Sequence, residues 1–213
     1  MSNVRNLEPR LELTPLGLAL CMPDFSPISV DFEDVISKRC RPGVKKPEVL
    51  RACKLKPNMR VIDATAGWGR DAAVLASTGA EVLMLEREPM LAALLQDGLA
   101  RLHAHQNMAL NLKLQGCEAQ SYLLSLAEED YPDVIYLDPM HPARNKRAKV
   151  KKDLYALQAL LGPDDDALSL LEIAQTRTRR RVVVKWPARL SALLKPDYAI
   201  SGKTVRFDVY LVN

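Results

Sequence analysis

The spacing of hydrophobic residues changes along the chain, and the changes mark out its elements. Leu11, Leu13, Leu16, Leu18 and Leu20 are spaced for short strands, interrupted by Pro15 and Gly17. Ile28, Val30 and Phe32 repeat the alternation after the proline-flanked turn at 23–27 and predict another strand. A small N-terminal β element is therefore expected over residues 1–46, ending in a basic, Pro- and Gly-containing connector at 39–46. Pro47 suits the first turn of a helix through Val49, Leu50 and Cys53. Residues 47–213 form the main domain, with strands predicted at 59–63, 81–85, 110–114, 134–137 and 181–185. Helical patterns fall between them at 71–77, from Pro89 to Leu102, and at 122–126, 154–161 and 167–176. Alternating strands and helices predict a parallel sheet. Residues 197–201 and 204–212 read as a closing hairpin around Gly202-Lys203.

Composition narrows the class of protein. At 213 residues and 48% hydrophobic, the chain can bury one full core. A net charge of +4 permits a polyanionic partner without demanding one. The four cysteines and three histidines have no metal-ligand spacing, so buried thiols in a reducing compartment are expected, and no metal site. The N-terminus has no apolar signal core and no run of about 18 apolar residues occurs, which predicts a soluble, cytoplasmic protein with no membrane partner.

The chain is organised around residues 60–71, Arg-Val-Ile-Asp-Ala-Thr-Ala-Gly-Trp-Gly-Arg-Asp. A buried strand end, a turn eased by Gly67 and Gly69, and a helix N-terminus make a cradle for a nucleotide. Glu86 ends the next strand about 20 residues on, where a carboxylate accepts hydrogen bonds from both ribose hydroxyls of an adenosine group. That spacing serves a nicotinamide dinucleotide and S-adenosylmethionine alike. The acids flanking the turn, Asp63 and Asp71, suit a sulfonium amino acid better than a pyrophosphate, and Arg70 can meet its carboxylate. The alternative for Asp71 is a first-turn helix acid, and both roles can hold together. Glu118-Ala119 follows the third strand of the main domain, where an adenine would be edged, although an N-terminal helix acid also fits there.

Asp138-Pro139-Met140-His141 follows the apolar strand Val134-Ile-Tyr-Leu at the sheet edge where ligands bind. An exocyclic base amine is a weak nucleophile because its lone pair is delocalised into the ring. The Asp138 side chain and the Pro139 carbonyl can accept its two hydrogens, and a ring at His141 can stack on a flipped base. Residues 143–152 then carry six cations and no acid, including Arg144, Lys146, Arg147, Lys149, Lys151 and Lys152. A solvated basic loop and a phosphate-binding loop both fit this run. Arg177-Thr-Arg-Arg-Arg181 reads as a helix C-terminus, and Trp68 and Trp186 as packing residues. A final antiparallel hairpin suits the methyltransferase version of this sheet better than the dehydrogenase version. The fold is therefore expected to be α/β, a class I (Rossmann-like) methyltransferase with a seven-stranded mixed sheet whose last strand is antiparallel.

These runs resemble the RsmJ-type family of guanine-N2 methyltransferases of small-subunit ribosomal RNA. The resemblance is carried by Asp63-Ala-Thr-Ala-Gly-Trp-Gly-Arg-Asp-Ala, Met84-Leu-Glu-Arg-Glu-Pro, Ala92-Ala-Leu-Leu-Gln-Asp-Gly-Leu-Ala-Arg and Tyr136-Leu-Asp-Pro-Met. Val150-Lys-Lys-Asp, Arg181-Val-Val-Val-Lys and Arg206-Phe-Asp-Val-Tyr complete it. It implies S-adenosylmethionine as cofactor, held at Arg70-Asp71, Glu86-Arg87, Glu118-Ala119 and Asp138. It also implies bacterial 16S ribosomal RNA or the small ribosomal subunit as partner. The chain departs from the family pattern at His141, where Phe or Tyr is usual, at Trp186, where Arg is usual, and at Glu118-Ala119, where two serines are. Competing expectations are a methyltransferase for another amine (adenine, DNA or protein), a non-catalytic RNA-binding module with this fold, and a NAD-dependent dehydrogenase.

Overall fold

A computed structural model describes residues 9–22, 25–41, 43, 45–104, 110–139 and 166–212. The first leucines form β1 (Arg10–Thr14) and β2 (Gly17–Cys21), an antiparallel pair to which the two-residue β3 (Ile28–Ser29) adds. The strand expected to continue through Phe32 is cut short by helix α1 (Phe32–Arg39). Its capping signals outweigh the alternation: Asp31 accepts a hydrogen bond from the Asp34 N–H, acids occupy the first turn, and Lys38 and Arg39 the last.

The main domain begins with α2 (Glu48–Cys53) and β4 (Arg60–Asp63), followed by α3 (Arg70–Ala76), β5 (Glu81–Glu86) and α4 (Pro89–Ala104). Next come β6 (Leu112–Gly116), α5 (Ala119–Ser125) and β7 (Val134–Leu137). Helix α6 (Ala167–Thr176), β8 (Arg181–Pro187), β9 (Tyr198–Ser201) and β10 (Val205–Leu211) close the chain. The third strand of the main domain starts two residues later than its apolar run suggests, and its helix starts three residues earlier. The helix expected at 154–161 lies outside the described residues. The seven-stranded sheet has the order β6-β5-β4-β7-β8-β10-β9. β10 runs antiparallel to both β8 and β9, and the pairs β4–β5, β4–β7, β5–β6 and β7–β8 are parallel.

Alternation along each strand separates two cores. One face of the sheet packs Val61, Met84, Tyr136, Val183 and Val209 together with residues of α3 and α4. The same core takes in Leu20, Ile28, Val30 and Phe32, so the N-terminal element shares the interior of the main domain. The other face packs Ile62, Ile135, Leu137, Val182 and Val184 with Leu123 of α5 and Leu171 of α6. Gly98 permits the close fit of the N-terminal element, since a Cβ there would stand 2.7 Å from Val30 Cγ1. The Leu18 N–H donates to Asp97 Oδ2 at 3.1 Å, and Arg101 donates to the Val30 carbonyl. Among the described residues no helix is long and apolar enough to cross a membrane, and no group of side chains has the makings of a metal site.

Candidate functional site

The turn after β4 is built by glycines in the left-handed region, Gly67 at φ 54° and Gly69 at φ 67°. The Gly67 N–H donates to Glu86 Oε2 at 2.8 Å, and the Glu88 N–H donates to Oε1 at 2.8 Å. Glu86 is buried at the end of β5, and burial pushes its carboxyl up while these two N–H groups pull it back. Each carboxylate oxygen takes a backbone N–H, and a carboxylate has sites for further donors. From Glu86 a cleft of about 770 Å³ opens across the carboxyl ends of β5 and β6, lined by Arg87, Pro89, Gly116, Cys117 and Glu118. Arg87 stands 3.6 Å from both Glu118 and Asp166. Three residues named from sequence, Glu86, Arg87 and Glu118, therefore share one cleft. Ala119 is buried at the first position of α5. A buried acceptor carboxylate beside a glycine turn, facing a cleft of this size, fits the adenosine half of S-adenosylmethionine.

The second turn meets the first. The Asp138 N–H donates to Thr65 Oγ1 at 2.6 Å, so the turn after β7 is tied to the turn after β4. Lys185 Nζ then bridges two acids, 2.6 Å from Asp138 Oδ2 and 2.9 Å from Asp71 Oδ2. Asp71 also accepts from the Tyr136 hydroxyl at 2.7 Å and from Arg39 Nη1 at 2.7 Å. Burial alone would raise the Asp71 carboxyl, but Lys185 and Arg39 outweigh it and hold it at about 2. Asp138 is pushed up by burial, with Lys185 opposing and Asp71 reinforcing the rise. Lys185 is held protonated by Asp138 and Asp71 against the effect of burial. Asp63 is only 1% exposed and accepts from the Thr65 N–H at 3.2 Å. Burial, with Asp71, Asp138 and Glu86 nearby, pushes its carboxyl well up.

Arg70 opens α3 and lines a small recess with Trp68, Val30 and Asp31. Pro139 is buried beside Asp138. His141 and the cations Arg144, Lys146, Arg147, Lys149, Lys151 and Lys152 lie outside the described residues. Trp68 and Trp186 are both buried, as their reading as packing residues requires. Lys185, Tyr136, Thr65 and Arg39, none of them among the site residues expected from sequence, also belong to this cluster. Register could have found the first: β7 and β8 pair in parallel with Leu137 opposite Val184, so the next step sets Asp138 against Lys185.

A family model of SAM-dependent methyltransferases matches residues 3–212. A Legionella pneumophila protein named ribosomal RNA small subunit methyltransferase J is 48% identical over 97% of this chain and 85% of its own length. A Thioalkalivibrio sulfidiphilus protein of the same name is 47% identical, covering 93% of this chain and 82% of its own. The crystal structure of a SAM-dependent methyltransferase from Neisseria gonorrhoeae superposes with a TM-score of 0.76 at 30% identity, over 99% of this chain and 86% of that one. A T. thermophilus 16S rRNA N2 guanosine methyltransferase, solved with AdoMet and guanosine, shares the fold with a TM-score of 0.55 at 16% identity, over 97% of this chain and 50% of that one. The glycine turn, the carboxylate that ends β5 and the acid–proline turn after β7 thus sit in a sheet and a sequence of one recognised kind, and the chain belongs to the ribosomal RNA small subunit methyltransferase J family of SAM-dependent methyltransferases.

Proposed function

We propose that this enzyme methylates the exocyclic N2 amine of a guanosine in 16S ribosomal RNA, acting in the cytoplasm on the RNA or on the small ribosomal subunit. The observation that carries the reading is the 2.6 Å hydrogen bond from the Asp138 N–H to Thr65 Oγ1, which puts an acceptor carboxylate beside the cofactor turn. The names of the relatives and the guanosine complex of the T. thermophilus enzyme support the choice of base.

Bound S-adenosylmethionine supplies an electrophilic methyl carbon on a sulfonium, and the S–C electron pair stays on sulfur when a nucleophile takes that carbon. Glu86 and Glu118 hold the adenosine part, with Arg87 beside them. Arg70 meets the amino-acid carboxylate, Gly67 and Gly69 allow the close approach of the backbone, and Asp63, Asp71 and Ala119 shape the walls. Asp138 and the Pro139 carbonyl accept the two amine hydrogens and aim the nitrogen lone pair, and most of the acceleration comes from this positioning. The proton released from nitrogen leaves through the Asp138 carboxylate to water. His141 stacks on the base, and Arg144, Lys146, Arg147, Lys149, Lys151 and Lys152 bind phosphates along the strand.

Nucleoside mass spectrometry of 16S RNA tests the reading. RNA from cells lacking the enzyme loses N2-methylguanosine at one position, and the purified enzyme with S-adenosylmethionine restores it. A loss of methyladenosine, or of a mark on protein or DNA instead, would overturn the choice of guanine.

A further inference from the structure

The carboxyl ends of β4, β7 and β8 bring three acids together around Lys185, with Asp63 buried, the Asp71 side chain 12% exposed and that of Asp138 39% exposed. Asp63 is on β4, Asp138 follows β7 and Asp71 approaches from α3. Lys185 lies near the end of β8 with Nζ 2.6 Å from Asp138 and 2.9 Å from Asp71. Its side chain is 24% exposed and that of Asp71 12%, so this half of the bridge is mostly shielded, while Asp138 at 39% stays in reach of solvent. Breaking such a bridge on one side leaves a partly shielded charge without its partner.

We propose that Lys185 is a positioning residue for methyl transfer, its ammonium fixing the Asp138 carboxylate as the acceptor for the substrate amine. Asp71 anchors the lysine from the opposite side. Arg39 at the end of α1 and the Tyr136 hydroxyl hold Asp71 in turn. The chain Arg39–Asp71–Lys185–Asp138 thereby runs from the N-terminal element to the reacting nitrogen. This inference rests on the reading of Asp138 given above.

The reason chemistry needs the lysine is electrostatic. A protonated Asp138 would offer a donor to the amine where an acceptor is required. Burial and the neighbouring Asp71 both favour that protonated form, and Lys185 opposes them. The charged and titratable groups around Asp138 are Lys185 on β8, Asp71 on α3 with Arg39 of α1 behind it, Tyr136 on β7 and Asp63 on β4. Removing Lys185 therefore extends the protonated range of Asp138 to higher pH, and removing the charge of Asp71 shortens it. The two substitutions act with opposite signs, which loss of structure alone would not produce.

The test is the pH dependence of single-turnover methyl transfer to small-subunit RNA by the full chain, at saturating RNA and S-adenosylmethionine. For Lys185→Met the acid limb moves to higher pH and the rate at neutral pH falls about 10²-fold, the size of loss that misplacing a reacting group can cause. Lys185→Arg keeps the charge and returns the limb toward its original pH. For Asp71→Asn the limb moves to lower pH. If Lys185→Met lacks a cooperative urea transition, the direction for Asp71→Asn decides alone. A limb that stays in place in the folded variants overturns the role of Lys185. Asp138→Ala in the same assay separates the two readings: if it is inactive while the limbs do not move, only this inference fails. If it is active, the assignment of Asp138 fails with it.

Discussion

Asp71 binds three partners from three elements, and its carboxyl is the one group in the cluster held low, at about 2, despite its burial. A folded-state pKa below the unfolded one means stability that is present above about pH 4 and lost as pH falls toward 2. Asp71→Asn should therefore be less stable than wild type at neutral pH by about 2 kcal/mol, the equivalent of roughly two pH units for one carboxyl. Urea titrations should show that gap closing between about pH 4 and pH 2, and a gap constant with pH would deny the ion pairs their role. Glu86 makes a different contribution. Because its oxygens hold the Gly67 and Glu88 N–H groups, Glu86→Ala loosens the turn as well as removing the acceptor in the cleft. Calorimetry should find S-adenosylmethionine bound about 10- to 100-fold more weakly, the size of a charged hydrogen bond. Unchanged affinity would move the ribose elsewhere.

At the level of elements, α1 governs how the glycine turn is supported. Phe32 is 2% exposed, and a Cβ on Gly69 would stand 2.9 Å from its ring. A Cβ on Gly98 of α4 would stand 3.2 Å from the same ring, so Phe32 fills the space between the glycine turn and α4. Phe32→Ala should lower stability by about 3–5 kcal/mol, as for other buried aromatics. It should also keep a single urea transition, because the N-terminal element shares the main core. Two separate transitions would make residues 1–46 an independent unit. Sequence pattern missed α1 because Ile28, Val30 and Phe32 alternate like a strand. The signal that overrides them is local and legible: Asp31 caps, acids follow, and Lys38 and Arg39 close the helix.

Across the whole molecule the two ends of the sheet have different uses. At the amino ends, arginines are occupied by the fold: Arg60 Nη2 donates to the Tyr131 carbonyl at 2.8 Å, Arg179 to the Glu129 carbonyl at 2.7 Å and Arg181 to the Tyr198 hydroxyl at 3.0 Å. The carboxyl ends carry the carboxylates, Lys185 and the cleft. The strand–turn–helix order was legible because parallel strands are continuous apolar runs and the turns between them carry glycine or proline. Glu86, Asp138 and the glycine turn were legible because each ends a strand. Lys185 was not, since its meaning depends on which strand lies beside β8, and a single sequence does not state that neighbour. Arg39 and Tyr136 were missed for the same reason, their partner Asp71 being 32 and 65 residues away.

The most direct measurement is methyl transfer by Asp138→Ala, with cofactor affinity measured on the same preparation. Because Asp138 is assigned to hold the amine rather than the fold, the variant should keep its urea transition and bind S-adenosylmethionine within about tenfold of wild type, a difference of about 1.4 kcal/mol. Transfer to 16S RNA should be undetectable. Transfer at the wild-type rate would contradict the account, since the amine would then need no carboxylate at position 138.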